Sequence, residues 1–460
     1  MDEKSPNKKR DASAIITEGK ISSAVWFLAW PTIANTLILT AYQFVNRIFL
    51  GHIPNSATAQ AAIGIGDRAL MVQFAIMVSL SVGTSALVAR SLGAGNKEDA
   101  EEATRQSLIM CVIGSALLTV PMVVWARPLV TMIGAKPHVV PVAAAYTALS
   151  ALFTIPSFIW TIVTAALRSS GDVRSQLYVG GLMIALNILL DWVFIFGVGP
   201  VPALGVLGAA ISTGISRILA SVLILWVLGR SVLSKSLRRL RLSFSWLGRI
   251  LNIGWPASIH NVIWTITGMA FLRILSVLPN ATEAQAALTV GLTIESLAYM
   301  PGIAYGMAAT PLVGQNLGAG NTERAEKSAW IATWQAVTIM SFVALLFLAM
   351  PRVFAKAFTT NPAVAALIVL YLQVNAFAQP AQAIGFVLRG ALQGAGDTRV
   401  PTWITLFSIL VVRIVMAWVL VVWLQVGAVG AWISMAVSAS LPGLLMALWF
   451  KHGRWKALEI

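Results

Sequence analysis

Apolar residues run along this chain in blocks far longer than one face of a soluble helix requires. The stretches 24–50, 109–125, 177–198, 218–228 and 406–424 carry almost no charge. A helix crosses a bilayer with roughly 20 such residues. The pattern predicts twelve crossings, at 22–50, 60–90, 104–125, 139–167, 176–198, 204–229, 249–278, 285–313, 327–350, 364–390, 400–424 and 428–450. The expected fold is therefore all-α and integral to the membrane, with twelve transmembrane helices. Several spans approach about 45 Å at the helical rise, so they should tilt or project beyond the hydrocarbon.

The chain is also written twice. Trp30-Pro31 recurs as Trp255-Pro256, and Ala59-Gln60-Ala61-Ala62 as Ala284-Gln285-Ala286-Ala287. Leu92-Gly93-Ala94-Gly95-Asn96 recurs as Leu317-Gly318-Ala319-Gly320-Asn321, and Gly171-Asp172-x-Arg174 as Gly396-Asp397-x-Arg399. All four pairs keep one and the same offset, and nine of fifteen positions match between 88–102 and 313–327. Six crossings per copy is an even number, so both copies enter the membrane from the same side. That predicts parallel repeats about an axis along the membrane normal, as in transporters that rock two bundles around a central site. The expected organisation is a disordered cytoplasmic tail at 1–20 and an N-terminal six-helix lobe at 21–229. A cytoplasmic linker at 230–248, a C-terminal six-helix lobe at 249–450 and a cytoplasmic tail at 451–460 follow.

Composition agrees: 58% of residues are hydrophobic, 11% are charged and mean hydropathy is +0.81. A soluble chain carries about a quarter charged residues. The net charge of +15 would suggest nucleic acid in a soluble protein, but its placement says otherwise. The side holding both termini carries 23 of the 32 Lys and Arg, the opposite side only Arg127, Lys136, Arg352 and Lys356. That bias orients the basic side to the cytoplasm, and no nucleic-acid partner is expected. The linker adds Arg230, Lys235, Arg238, Arg239 and Arg241, a topology anchor that meets lipid headgroups. The lone Cys111 excludes an internal disulfide, and the polar segment 1–20 holds no cleavable signal. The scattered His52, His138, His260 and His452 have no metal spacing, and there is no P-loop. Neither a cofactor nor enzyme chemistry is expected.

Of the 17 Asp and Glu, only Asp67, Asp191 and Glu295 fall inside spans. An ionisable group at membrane depth is a functional candidate by default. Asp191 lies about 22 Å along span five, with Asn187 one turn earlier on the same face. A buried carboxylate beside an amide suits a group that takes up and releases a proton. The bland alternative is a pairing with Arg217 or Arg413, the deepest membrane arginines. Glu295 precedes Pro301-Gly302, where an interrupted helix would line a cavity or pack in protein; Asp67 and Arg68 lie near the end of their span. Trp264 could meet aromatic ligands or simply pack. Pro31 and Pro256 permit bending and are hinge candidates. Asn96 and Asn321 follow Gly-Ala-Gly and precede acidic turns, which is helix-stop then N-cap chemistry.

Pro31, Tyr42, Leu92-Gly93-Ala94-Gly95-Asn96, Asn187-x3-Asp191 and Gly318-Ala319-Gly320-Asn321 together resemble the multidrug and toxic compound extrusion (MATE) transporters over about residues 20–450. The resemblance implies two six-helix lobes that expel organic, usually cationic or amphipathic, compounds in exchange for H⁺ or Na⁺. Asn187 and Asp191 match the Asn-x3-Asp of the DinF-like branch, which places coupling in the N-terminal lobe. That branch has a helix-one Asp where this chain has Asn46. An amide cannot titrate, so either Asp191 alone carries the proton or coupling differs. The NorM-like branch has a helix-seven Glu where this chain has Trp264, which disfavours a C-lobe sodium site. The expectation is a monomeric H⁺ antiporter of the cytoplasmic membrane, with Na⁺ the alternative ion. Asp191 and Asn187 would couple, and Asn46, Tyr42, Glu295, Trp264, Arg217 and Arg413 would meet substrate. The rival is a flippase for lipid-linked precursors, to which Arg217, Arg413 and the lost helix-one acid lend weight.

Overall fold

The computed structural model describes residues 12–53, 56–238 and 241–458. In chain order its helices are α1 (Ala12–Thr17), α2 (Ile21–Gly51), α3 (Ser56–Ala69), α4 (Met71–Gly93), α5 (Lys97–Val124), α6 (Ala126–Met132), α7 (Val140–Leu152), α8 (Thr154–Ser169) and α9 (Val173–Phe196). There follow α10 (Val206–Gly229), α11 (Phe244–Leu275), α12 (Ala281–Gly318), α13 (Thr322–Ala349), α14 (Pro351–Phe358), α15 (Pro362–Ala376), α16 (Gln379–Ala395), α17 (Arg399–Trp423) and α18 (Ala428–His452). Among the described residues ten helices are long and apolar enough to cross a membrane, and two bent pairs bring the number to twelve.

Those pairs, α7–α8 and α15–α16, bend by 49° and 58°. Pro156 and Pro380 sit in the first turn of the second helix of each pair, where a missing N–H is tolerated. The span expected at 60–90 breaks at Leu70 into α3 and α4. Its repeat counterpart α12 instead runs unbroken through Pro301 and Pro311, which corrects the expected interruption at Pro301-Gly302. Packing holds it there: a Cβ on Gly302 would stand 2.5 Å from Met340 Sδ and 3.1 Å from the Phe386 ring.

The repeated anchors become repeated turns. Gly95 and Gly320 both adopt φ +74°, a conformation open chiefly to glycine. The Asn96 and Asn321 side chains then cap α5 and α13 by accepting from Asp99 N and Arg324 N, at 3.1 and 3.0 Å. Asp172 caps α9 through Ser175 N at 3.1 Å, and Asp397 accepts from Val400 N at 3.3 Å.

Two compact units divide the chain, Ala34–Trp255 and Met1–Ile33 with Pro256–Ile460. The boundaries fall inside α2 and α11, beside Pro31 and Pro256, and not in the linker 230–248. The start of α11 belongs to the N-terminal unit because Gly254 lies against α4, where a Cβ would collide with the Ser79 carbonyl. The linker is bound to the same unit. Gln106 on α5 donates to Arg241 O at 2.6 Å and accepts from Ser243 N at 2.9 Å, and Arg105 donates to Lys235 O at 3.1 Å.

The expected tail at 1–20 is corrected over its described part. Helix α1 lies on α12 with Ile16 wholly buried. The Ile16 carbonyl accepts from Arg324 Nε and Nη2 and from Asn316, at 3.3, 3.2 and 3.4 Å. Residues 1–11, and Arg239 of the linker, lie outside the described residues. At the other end Trp455 is buried and stacks on Phe450 with centroids 4.4 Å apart, so the described part of the 451–460 segment is docked.

Candidate functional site

The candidate residues gather into two clusters, one in each unit. In the N-terminal unit, Tyr42 and Asn46 share a face of α2 at i,i+4 spacing, and Asn187 and Asp191 share one of α9. Asp191 is 1% exposed. Ser212 on α10 donates to its Oδ1, and Tyr42 donates to Oδ2 over a long 3.4 Å. Asn46 Nδ2 donates to Tyr42 Oη at 3.3 Å, completing a chain of neutral donors ending on the carboxylate. Beside it Asn46 Oδ1, Asn187 Nδ2 and Ser216 Oγ are buried without a partner. Buried polar groups are usually paired, so this cluster has unused capacity. Among the described residues no arginine completes it as an ion pair: Arg217 is exposed on α10 and donates to Ser157 Oγ at 2.8 Å.

The C-terminal unit builds a different carboxylate. Glu295 on α12 is buried. Its Oε2 accepts from the Tyr371 hydroxyl, and its Oε1 from Gln379 and Gln382 at 2.9 and 3.2 Å. Tyr371 lies on α15 and both glutamines on α16, so the bend between these helices brings residues from its two sides onto one carboxylate. Arg413 is near enough to act on Glu295 electrostatically. It closes the π-helical stretch Phe407–Arg413 of α17 and donates from Nε to Ser438 Oγ at 2.8 Å. Its guanidinium stands 5.4 Å from the Trp264 ring centroid, within cation–π range, and Trp264 is 50% exposed. Among the described residues no group of three or more His, Cys, Asp or Glu is placed to hold a metal ion.

Sequence reasoning paired Asp191 with Asn187, but the structure pairs it with Ser212 and Tyr42 and leaves Asn187 stacked one turn away. It missed Ser212, Tyr371, Gln379, Gln382 and Ser438. A signal existed for Ser212, since Gly208, Ser212 and Ser216 recur every fourth residue on α10. No local pattern marked the glutamines, because a bend delivers them.

The MatE family model matches residues 31–193 and again 256–419, two matches in the register of the internal repeat. The chain belongs to the MATE family. A probable multidrug resistance protein NorM of Thermotoga maritima is 28% identical over 439 residues, covering 93% of this chain and 92% of that one. A FAD transporter of Shewanella oneidensis is 25% identical over 355 residues, covering 75% and 76%. The solved outward-facing conformation of a multidrug resistance MATE family transporter of the MOP superfamily superposes with TM-score 0.90 at 25% identity, covering 99% and 100%. As a MATE protein this is an all-helical, multi-pass membrane transporter, and the parallel repeat is the two-fold match to the family model.

Proposed function

We propose that this MATE protein is a secondary antiporter of the cytoplasmic membrane that exports organic, cationic or amphipathic compounds in exchange for H⁺. It acts as a monomer with both termini in the cytoplasm. One observation carries the reading: the Asp191 carboxylate is buried against neutral donors, with the amide atoms Asn46 Oδ1 and Asn187 Nδ2 unpaired beside it. A carboxylate at membrane depth without a counter-ion is a site for a proton or a small cation. Asp191 takes up a proton from the outside, with Asn187, Tyr42 and Asn46 around it, and that event favours release of the compound. Pro31 and Pro256 act as hinges; the unit boundaries beside both support this. Exposed Arg217 in the N-terminal unit and half-exposed Trp264 in the C-terminal unit each offer a side chain to the compound, while Glu295 and Arg413 shape the C-terminal unit from within. One charge moving down 100 mV supplies about 2.3 kcal/mol, or roughly a 50-fold gradient.

The test is efflux of a fluorescent organic cation from proteoliposomes under an imposed pH gradient, with and without Na⁺, for wild type and Asp191→Asn. Transport that follows the pH gradient and stops in the mutant supports proton coupling through Asp191. Unchanged export by the mutant would sink it. The membrane arginines Arg217 and Arg413, and the FAD transporter among the relatives, favour a second reading, export of anionic or lipid-linked compounds. Accumulation of a lipid-linked sugar in a deletion strain would select a flippase.

A further inference from the structure

Arg389 is a charge whose counter-charge is missing from its described surroundings. It lies on α16 six residues before Ala395, so about 9 Å inside that helix end. Its Nη2 stands 3.2 Å from His260 Nδ1 and 3.4 Å from Nε2, and its Nη1 3.3 Å from Nε2, which lays the guanidinium against the imidazole. Nη2 also donates to Thr405 Oγ1 at 3.0 Å. Three helices, α11, α16 and α17, thus converge on one cation. Among the described residues no carboxylate lies within ion-pair distance of it. Arg413 has no described carboxylate within ion-pair distance either, but Glu295 acts on it electrostatically. Asp397, on the same end of α16, is engaged by Trp449 Nε1 at 2.8 Å and by Val400 N.

A guanidinium has five N–H donors and an imidazole at most one accepting nitrogen, so the recorded partners leave donors over. Arg389 is half-buried; a cation partly withdrawn from water is costly to leave unpaired, and a guanidinium fork matches oxyanions in shape. One turn along α11 from His260 stands Trp264, with ring centroids 6.3 Å apart, and its half-exposed ring is flanked by Arg413.

We propose that Arg389, its fork held in place by His260 and by Thr405, whose own hydroxyl donates to Pro401 O at 2.8 Å, forms a binding site for an oxyanion group, with Trp264 the platform for a flat ring where the occupant carries one. The occupant carries a phosphate or carboxylate, either as a soluble aromatic anion or as a lipid headgroup. The site goes beyond proton-coupled export and does not depend on Asp191.

The test uses the full-length protein in dodecyl maltoside. Calorimetry measures binding of phenyl phosphate, with phenol as the uncharged control. Native mass spectrometry compares retention of phosphatidylglycerol with phosphatidylcholine. Arg389→Gln should weaken phenyl phosphate by about tenfold or more and leave phenol unchanged. Arg389→Lys keeps the charge but loses the fork, and should fall between; Thr405→Val should cost about two- to threefold. If only phosphatidylglycerol retention falls in Arg389→Gln, the site stands and its occupant is a headgroup. Wild type that binds neither probe, or variants that bind both as wild type does, would overturn it. Should Arg389→Gln fail to fold, Arg389→Lys and Thr405→Val decide. The readout is equilibrium binding without a gradient, so its failure is distinct from failure of coupling.

Discussion

Asp191 and Glu295 sit in copies of one repeat, yet neither has a copy of itself. The counterpart of Asp191 is Met416, and that of Glu295 is Leu70, where the α3–α4 break falls. What the units share is the frame. Gly66 lies against the Tyr146 ring and Gly291 against the Tyr371 ring, each 2.5 Å from an added Cβ, and all four residues obey the offset of the repeat. Each tyrosine then donates to an acid on the facing helix. Tyr146 reaches exposed Asp67 at 3.2 Å, and Tyr371 reaches buried Glu295, three positions on from the counterpart of Asp67. The frame is common and the charges were placed afterwards. Asp191 sits among neutral donors with unused amides nearby, whereas Glu295 has three donors and an arginine. A carboxylate so fully satisfied has little left to bind, and its neighbours depend on it. The poised group is Asp191 and the anchored one Glu295.

Substituting each acid breaks the comparison most sharply. Asp191→Asn should reduce pH-driven efflux to the leak of empty liposomes while leaving the melting temperature near wild type, because neutral donors tolerate an amide. Glu295→Gln should do the reverse. It weakens the charge-assisted hydrogen bonds from Tyr371, Gln379 and Gln382 and removes the negative charge that acts on buried Arg413, at a cost of about 1–3 kcal/mol, seen as a lowered melting temperature. Flux that survives should keep its pH dependence. If Glu295→Gln instead abolishes coupling at full stability, the roles are assigned the wrong way round. Adding Arg413→Met to Glu295→Gln should restore part of the loss, read as a double-mutant cycle. Gly66→Ala and Gly291→Ala should each cost about 1–3 kcal/mol by forcing the tyrosine aside, and equal losses would confirm the shared frame. The smallest effect belongs to the N-terminal segment. Ser13→Ala removes the hydroxyl that donates to Gln315 Oε1 at 3.1 Å, worth about 1 kcal/mol, and should increase proteolysis ahead of α2.

Much of this architecture was legible without coordinates. The spans, the repeat and the Gly95–Asn96 and Gly320–Asn321 turns all follow from local chemistry. Asp191 stood out because charge is rare in apolar helices, and Tyr42 and Asn46 came with the family resemblance. Pro156 and Pro380 were not read as bend positions, and nothing in the sequence showed that the second would swing Gln379 and Gln382 onto Glu295. A missing N–H says where a helix can bend and not in which direction.

The chain's own pattern determined how many spans cross the membrane, where the Gly-Asn turns stop them and that the two halves share a plan, since hydrophobicity, capping and glycine turns act within a few residues. Only the tertiary structure decided that the units divide inside α2 and α11, that Ser212 and not Asn187 holds Asp191, and that Glu295 meets Tyr371, Gln379 and Gln382 while Arg389 meets His260. Each of these depends on which helices are neighbours and how each is rotated. One residue turns a helical side chain through about 100°, so partners on different helices are set by packing, to which no single span's sequence is a guide.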